Sequence, residues 1–250
     1  MNNPVILEVC ANSVISALAA QNGGAARVEL CENLHEGGTT PSFGSILLAR
    51  KLLHIQLYVL IRPRGGDFLY TDVEYDIITE DVKHCLEAGC DGIVIGILNP
   101  DGTIDKKRCE KLVRMAKQNG AGATFHRAFD RCNDQFKALE DIIEMGFDRI
   151  LTSGERSTAM EGSRRIAELV KVADGRISIM PGSGINENNV TDLVHFTGVT
   201  EVHSSARLRV QSLMKYKNDH IITGSGYNDE YSADVTDAGR VKQILKNANR

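Results

Sequence analysis

The 250-residue chain is predicted to be a single α/β domain, a (β/α)8 TIM barrel. Three observations predict it. Short β-rich runs recur roughly every 20 to 35 residues. The stretches between them are amphipathic and carry helix start and stop signals. Strand and helix alternate eight times, which is the pattern of a parallel sheet wrapped by helices. A doubly wound sheet is the competing arrangement. It usually has fewer strands and a glycine-rich turn after the first, whereas Ala11-Asn12-Ser13 follows the first run here.

In chain order, strands are expected at 5–10, 27–31, 56–62, 92–98, 123–126, 149–153, 177–181 and 201–205. The first helix, 13–22, has an apolar stripe of Val14 and Leu18 and stops at Gly23. The second, 42–53, opens after Pro41. The next three, 72–88, 105–118 and 134–145, end at or near Gly89, Gly120 and Gly146. Helix 158–172 precedes Asp174-Gly175, helix 186–196 stops before Gly198, and 236–249 closes the chain. No domain boundary interrupts the pattern. Residues 206–233 read as one long irregular segment, expected to be a lid or an oligomer contact.

Composition narrows the partners. A formal net charge of −4 gives no reason to expect nucleic acid or an anionic membrane. No apolar run approaches the roughly 20 residues needed to span a bilayer. Met1-Asn-Asn-Pro4 lacks the basic start of a signal peptide, so a cytoplasmic location is expected. Six cysteines, at 10, 31, 85, 90, 109 and 132, are spread through a chain large enough to need no stapling, which fits a reducing compartment. There is no CxxC or HxxxH pair to suggest structural zinc. Cys85, Cys90 and Cys109 fall on or beside helices and are expected to be packing residues; Cys132 falls close to the expected mouth.

Chemistry in such a barrel sits at the C-terminal ends of the strands. Those ends carry Glu8 and Cys10, Glu29 and Cys31, Arg62 with Arg64 and Asp67, His126-Arg127 then Asp130, Thr152-Ser153-Gly154, Gly182-Ser183-Gly184, and His203-Ser204-Ser205. The third stretch, Leu60-Ile-Arg-Pro-Arg-Gly-Gly-Asp-Phe68, turns abruptly from apolar strand to cations. Arginine there is costly unless something anionic meets it. Alternation puts Glu8 and Cys10 on one face, and Glu29 and Cys31 on one face, with Leu7, Val9, Val28 and Leu30 turned to the helices. The two Glu/Cys pairs therefore point inward from neighbouring strands, roughly 5 Å apart.

Each residue also has a plainer reading. A Glu–Arg pair can be a structural salt bridge, a cysteine a small hydrophobe, and a histidine a hydrogen-bonded core residue. The concentration of charge at one end of the barrel favours a site. Two functions could use it. Two inward thiols suit Cu(I), with His126 or His203 assisting. Alternatively, an enzyme doing proton-transfer, lyase or hydrolase chemistry on a small anionic substrate, a phosphorylated one included, would use Glu8 or Glu29 as base and His126 as acid. Arg62 would hold a carboxylate or oxyanion, with Asp67 also in the catalytic set. Arg64, Ser153, Gly182, Ser183, Gly184, His203 and Ser204 would then bind the ligand, because loops after the seventh and eighth strands often take phosphate.

Seven stretches carry a family resemblance. They are Glu8-Val-Cys10, Arg27-Val-Glu-Leu-Cys31, Glu36-Gly-Gly-Thr-Thr-Pro-Ser42, Ile61-Arg-Pro-Arg-Gly-Gly-Asp-Phe68, Thr124-Phe-His-Arg-Ala-Phe-Asp130, Leu151-Thr-Ser-Gly154 and Glu201-Val-His-Ser-Ser-Ala206. In order and spacing they resemble the CutC family. The resemblance implies a TIM barrel, a cytoplasmic copper-homeostasis role, Cu(I) held by Cys10 and Cys31, and a homodimer or higher homo-oligomer. At Gly182-Ser-Gly184 the chain departs from relatives, which often have three small residues ending in glycine.

Overall fold

The computed structural model describes residues 4–218, 220–221 and 229–250. Eight parallel strands form the barrel: β1 Ile6–Ala11, β2 Arg27–Leu30, β3 Gln56–Leu60, β4 Gly92–Ile95, β5 Gly122–Phe125, β6 Arg149–Thr152, β7 Ser178–Pro181 and β8 Glu201–Ser204. Helices α1 Val14–Asn22, α2 Phe43–Leu52, α3 Asp72–Glu87, α4 Lys106–Gln118, α5 Gln135–Glu144, α6 Ser163–Ala173, α7 Val190–Thr197 and α8 Ala238–Ala248 alternate with them. Several are started by side-chain caps. Thr71 and Glu74 form a reciprocal capping box on α3, and Asp105, Asp134 and Asp237 cap α4, α5 and α8.

The strands are hydrogen-bonded in the order β7-β6-β5-β4-β3-β2-β1-β8. β8 pairs with β1, placing Glu8 opposite both Arg27 and His203. No ladder joins β7 to β8 among the described residues, so the barrel is nearly closed, with a seam there. Leu7, Val9, Val28 and Leu30 are fully buried in the apolar layer between sheet and helices. Cys10, Cys31, Tyr58, Leu60 and Val94 form a separate cluster inside the barrel. The strands are buried on both faces, but only the inner face is polar.

Most expected boundaries hold to within one or two residues. Two helices start later. α6 begins at Ser163, because Gly162 runs so close to the Ser153 carbonyl that a side chain would not fit. α7 begins at Val190, because Asn186 and Asn189 spend their side chains on local backbone: Asn186 N–H donates to Asn189 Oδ1, and Asn188 N–H to Asn186 Oδ1.

The segment 206–233 is not irregular throughout. β9 Arg207–Gln211 pairs antiparallel with β10 Ser232–Thr236. The alternation Arg207-Leu-Arg-Val-Gln211 was a strand signal, though every residue of it is exposed. Of the rest of that segment, Asp219 and 222–228 lie outside the described residues. Among the described residues, no helix is long and apolar enough to cross a membrane.

Candidate functional site

The barrel interior begins with a charged floor. Arg27 is buried and donates to Glu8 and to Glu201. Arg149 donates to Glu201 at 3.1 Å and to Thr124 at 3.3 Å. Both guanidiniums lie over the Tyr58 ring, 5.2 and 5.0 Å from its centroid. Burial pushes the Glu8 carboxyl up, but the Arg27 guanidinium and His203 outweigh it and hold Glu8 at about 2. Two carboxylates and two guanidiniums thus offset one another, where any one of them alone would be costly to bury.

Above the floor stands the thiol layer. The Cys10 and Cys31 sulfurs are 3.5 Å apart. With a Glu29 carboxylate oxygen they form a group whose ligating atoms all lie within 4.8 Å of one another. His203 bridges the layers, with Nδ1 2.8 Å from Glu8 and Nε2 3.6 Å from Glu29. Burial alone would depress the His203 imidazole, but its bonds to Cys10 and Glu8 and the nearby Glu29 charge carry it well above the usual range. It is held as the imidazolium. Burial raises Glu29, and the bond to Cys31, burial and Glu29 together raise Cys10. Cys10 therefore keeps its proton until a metal displaces it.

The thiol layer opens into a cavity of about 430 Å³ at the C-terminal end of the barrel. Cys10, Cys31, Glu29, Arg62, His126, Gly182, Ser183, Gly184, His203 and Ser204 all line it. His126 is neutral, because burial and then the Arg62 guanidinium depress it to about 3. Its Nδ1 accepts from the Ala128 N–H at 3.1 Å, so the ring proton is on Nε2. Arg62 donates to the carbonyls of Glu36, Gly38 and Gly66 at 2.7–2.9 Å and stacks on Phe68. It ties down the loops after β2 and β3 and is not the counter-ion of Glu8 or Glu29.

A match to the model described as the CutC family spans residues 5–208. The chain belongs to the CutC family. A CutC of Chromobacterium violaceum is 45% identical over 96% of both chains, and one of Parabacteroides distasonis is 49% identical over 96% of this chain and 99% of its own. The human copper homeostasis protein cutC homolog is 44% identical over 97% of this chain and 88% of its own. The crystal structure of a CutC from Streptococcus agalactiae superposes with a TM-score of 0.76 at 37% identity, covering 80% of this chain and 98% of that one. A phosphoribosyl anthranilate isomerase from Thermococcus kodakaraensis, 14% identical with a TM-score of 0.59, shares the fold alone.

In this CutC chain four expected site residues lie elsewhere. Glu8 is fully buried beneath the cavity, locked by Arg27 and His203, so it is not placed to act as a base on a cavity ligand. Arg64 pairs with Glu74 and Asp67 and stacks on Tyr70, outside the cavity lining. Asp67 is 73% exposed, because the Gly65-Gly66 turn carries the chain out of the barrel. Ser153 is buried under Asp130 and Arg127, accepting from Arg127 at 2.7 Å. Cys85, Cys90, Cys109 and Cys132 are all buried away from the thiol layer, and none of them lines the cavity.

The floor of the CutC barrel was missed, though the signal was there. Arg27 shares parity with Glu29 and Cys31, as Glu201 does with His203 and Arg149 with Leu151. Arg127 and Arg207 also line the cavity. Arg127 stands in the Thr124–Asp130 stretch, whereas Arg207 lies on β9, where the sequence predicts irregular chain.

Proposed function

We propose that this CutC chain serves copper homeostasis by binding Cu(I) between Cys10 and Cys31. One observation carries the reading: two reduced sulfurs 3.5 Å apart on adjacent strands, opening into a cavity. Both can touch one soft ion, and thiolates select Cu(I) over harder cations. Their neighbours discourage a four-ligand zinc site. A structural zinc site takes four protein ligands, whereas among the described residues three, Cys10, Glu29 and Cys31, bring their ligating atoms within 4.8 Å of one another. The human relative is named a copper homeostasis protein, which supports the same reading. Such a site works only while reduced, so the reading includes the reducing cytoplasm.

Anaerobic titration with Cu(I) against a chromophoric competitor tests this. One ion per chain is expected for the unmodified protein. Cys10→Ser and Cys31→Ser should each weaken binding roughly a hundredfold, about 3 kcal/mol. Unchanged affinity in both variants overturns the assignment.

A further inference from the structure

Copper needs one wall of the cavity. A second part of the lining, on the far side of β8 from the thiols, is built from the loop after β7 and the cations flanking it, and it carries unpartnered donors. Gly182 N–H still continues the β6 ladder by donating to the Thr152 carbonyl at 2.9 Å. Beyond it the ladder stops at the β7–β8 seam. Among the hydrogen bonds of the described residues, none uses the N–H groups of Ser183, Gly184 or Ile185. All three residues line the cavity. The carbonyls beside them are occupied: Ser183 O accepts from Ala159 N–H, and Gly184 O from the side-chain amides of Asn186 and Asn189.

Ser183 holds φ +80°, a left-handed conformation that costs a non-glycine residue, and Gly184 follows at +74°. Ser183 Oγ donates to the Ser157 carbonyl at 2.7 Å and helps fix the turn. Consecutive N–H groups fixed in a turn make an anion-binding concavity.

The charge around this loop agrees. Arg62, Arg127 and Arg207 line the cavity, and among the described lining residues Glu29 is the one carboxylate; Arg127 Nε is paired with Asp130 at 2.8 Å and Arg207 Nη1 with Asp234 at 3.5 Å, which leaves Arg127 Nη1 and Arg207 Nη2 as the donors available to a ligand. Deeper in, Arg62 Nε and His126 Nε2 are buried without a partner. Unpartnered buried donors are rare and call for a ligand or water. The cavity volume, about 430 Å³, is within the range of small-molecule sites and far beyond one metal ion.

We propose that residues 183–185, with Arg127 and Arg207, hold the phosphate of a phosphorylated small molecule whose remainder lies in the cavity toward His126 and Glu29. Three backbone donors and two guanidiniums exceed what the two oxygens of a carboxylate can use. They match the three terminal oxygens of a phosphate monoester.

Isothermal titration calorimetry on the metal-free full chain tests it, at fixed ionic strength, with inorganic phosphate, glycerol 3-phosphate and glycerol as probes. Saturable one-to-one binding of glycerol 3-phosphate is expected, tighter than that of inorganic phosphate, with none for glycerol. Arg207→Gln, on an exposed strand, and Arg127→Gln should each weaken it roughly tenfold. The Cys10→Ser/Cys31→Ser double variant should bind the ester unchanged, and Arg207→Gln should bind Cu(I) unchanged, which separates this site from the copper reading. Absence of saturable binding by both phosphate probes overturns the proposal, as does unaltered affinity in Arg207→Gln. Glycerol 3-phosphate binding no better than inorganic phosphate overturns the placement of an organic remainder in the cavity.

Discussion

His126 shows what burial does to a single group. Depressed to about 3 from an ordinary 6.5, it stays neutral in the folded protein at pH values where the unfolded chain takes up a proton. Between those two values the unfolded state binds more protons. Stability is therefore fully present above about pH 6.5 and is lost as pH falls, by up to about 1.4 kcal/mol per pH unit. Glu8 acts in the same direction but only below its ordinary 4.5, down to about 2. Urea unfolding from pH 4.5 to 6.5 separates them. The unmodified protein should lose stability faster on acidification than His126→Gln, and parallel curves would refute the buried neutral imidazole.

At the scale of strands, the floor depends on two glycines. A Cβ on Gly92 would sit 2.2 Å from the Tyr58 ring, and one on Gly122 would sit 2.1 Å from the Tyr58 hydroxyl. β4 and β5 thus give up a side chain each so that Tyr58 can lie under Arg27 and Arg149. Gly122→Ala and Gly92→Ala should each destabilise the fold by about 1–3 kcal/mol. Tyr58→Phe removes only the hydroxyl, so it should recover part of the Gly122→Ala loss and none of the Gly92→Ala loss. A double-mutant cycle by chemical denaturation measures this. Additive effects in the Gly122 pair would show that the Tyr58 hydroxyl does not fix that position, and rescue of Gly92→Ala would show that the ring does not fix the other.

For the whole molecule, metal binding and folding are linked. The thiols come from β1 and from the residue just after β2, which only the folded β1–β2 pairing brings together, so an ion held by both binds the folded state and not the unfolded one. With free Cu(I) held at about 100 times Kd, stabilisation should be about 2.7 kcal/mol, a rise in Tm of roughly 5–10 °C for a chain of this size. Cys10→Ser/Cys31→Ser should show no such rise. An equal shift in that double variant would place the metal elsewhere.

Periodicity and alternation were enough for the eight-fold βα order, for the strand bounds to within a residue or two except at β4, which ends three residues before its expected bound, and for the inward pairing of Cys10 with Cys31. Each follows from local steric rules that act along one strand or helix. The same parity placed Arg27 inside as well, but not what it meets: Glu8 and Glu201 come from strands 19 and 174 residues away. Which cation answers which carboxylate is settled by strand register and barrel closure. Hence Arg62, prominent in sequence, spends its terminal Nη donors on loop carbonyls, while Arg27 neutralises Glu8. The outward turn of Asp67, the seam that frees the N–H groups of 183–185, and the arrival of Arg207 at the cavity on an exposed hairpin likewise follow from how distant segments pack, which no local pattern encodes.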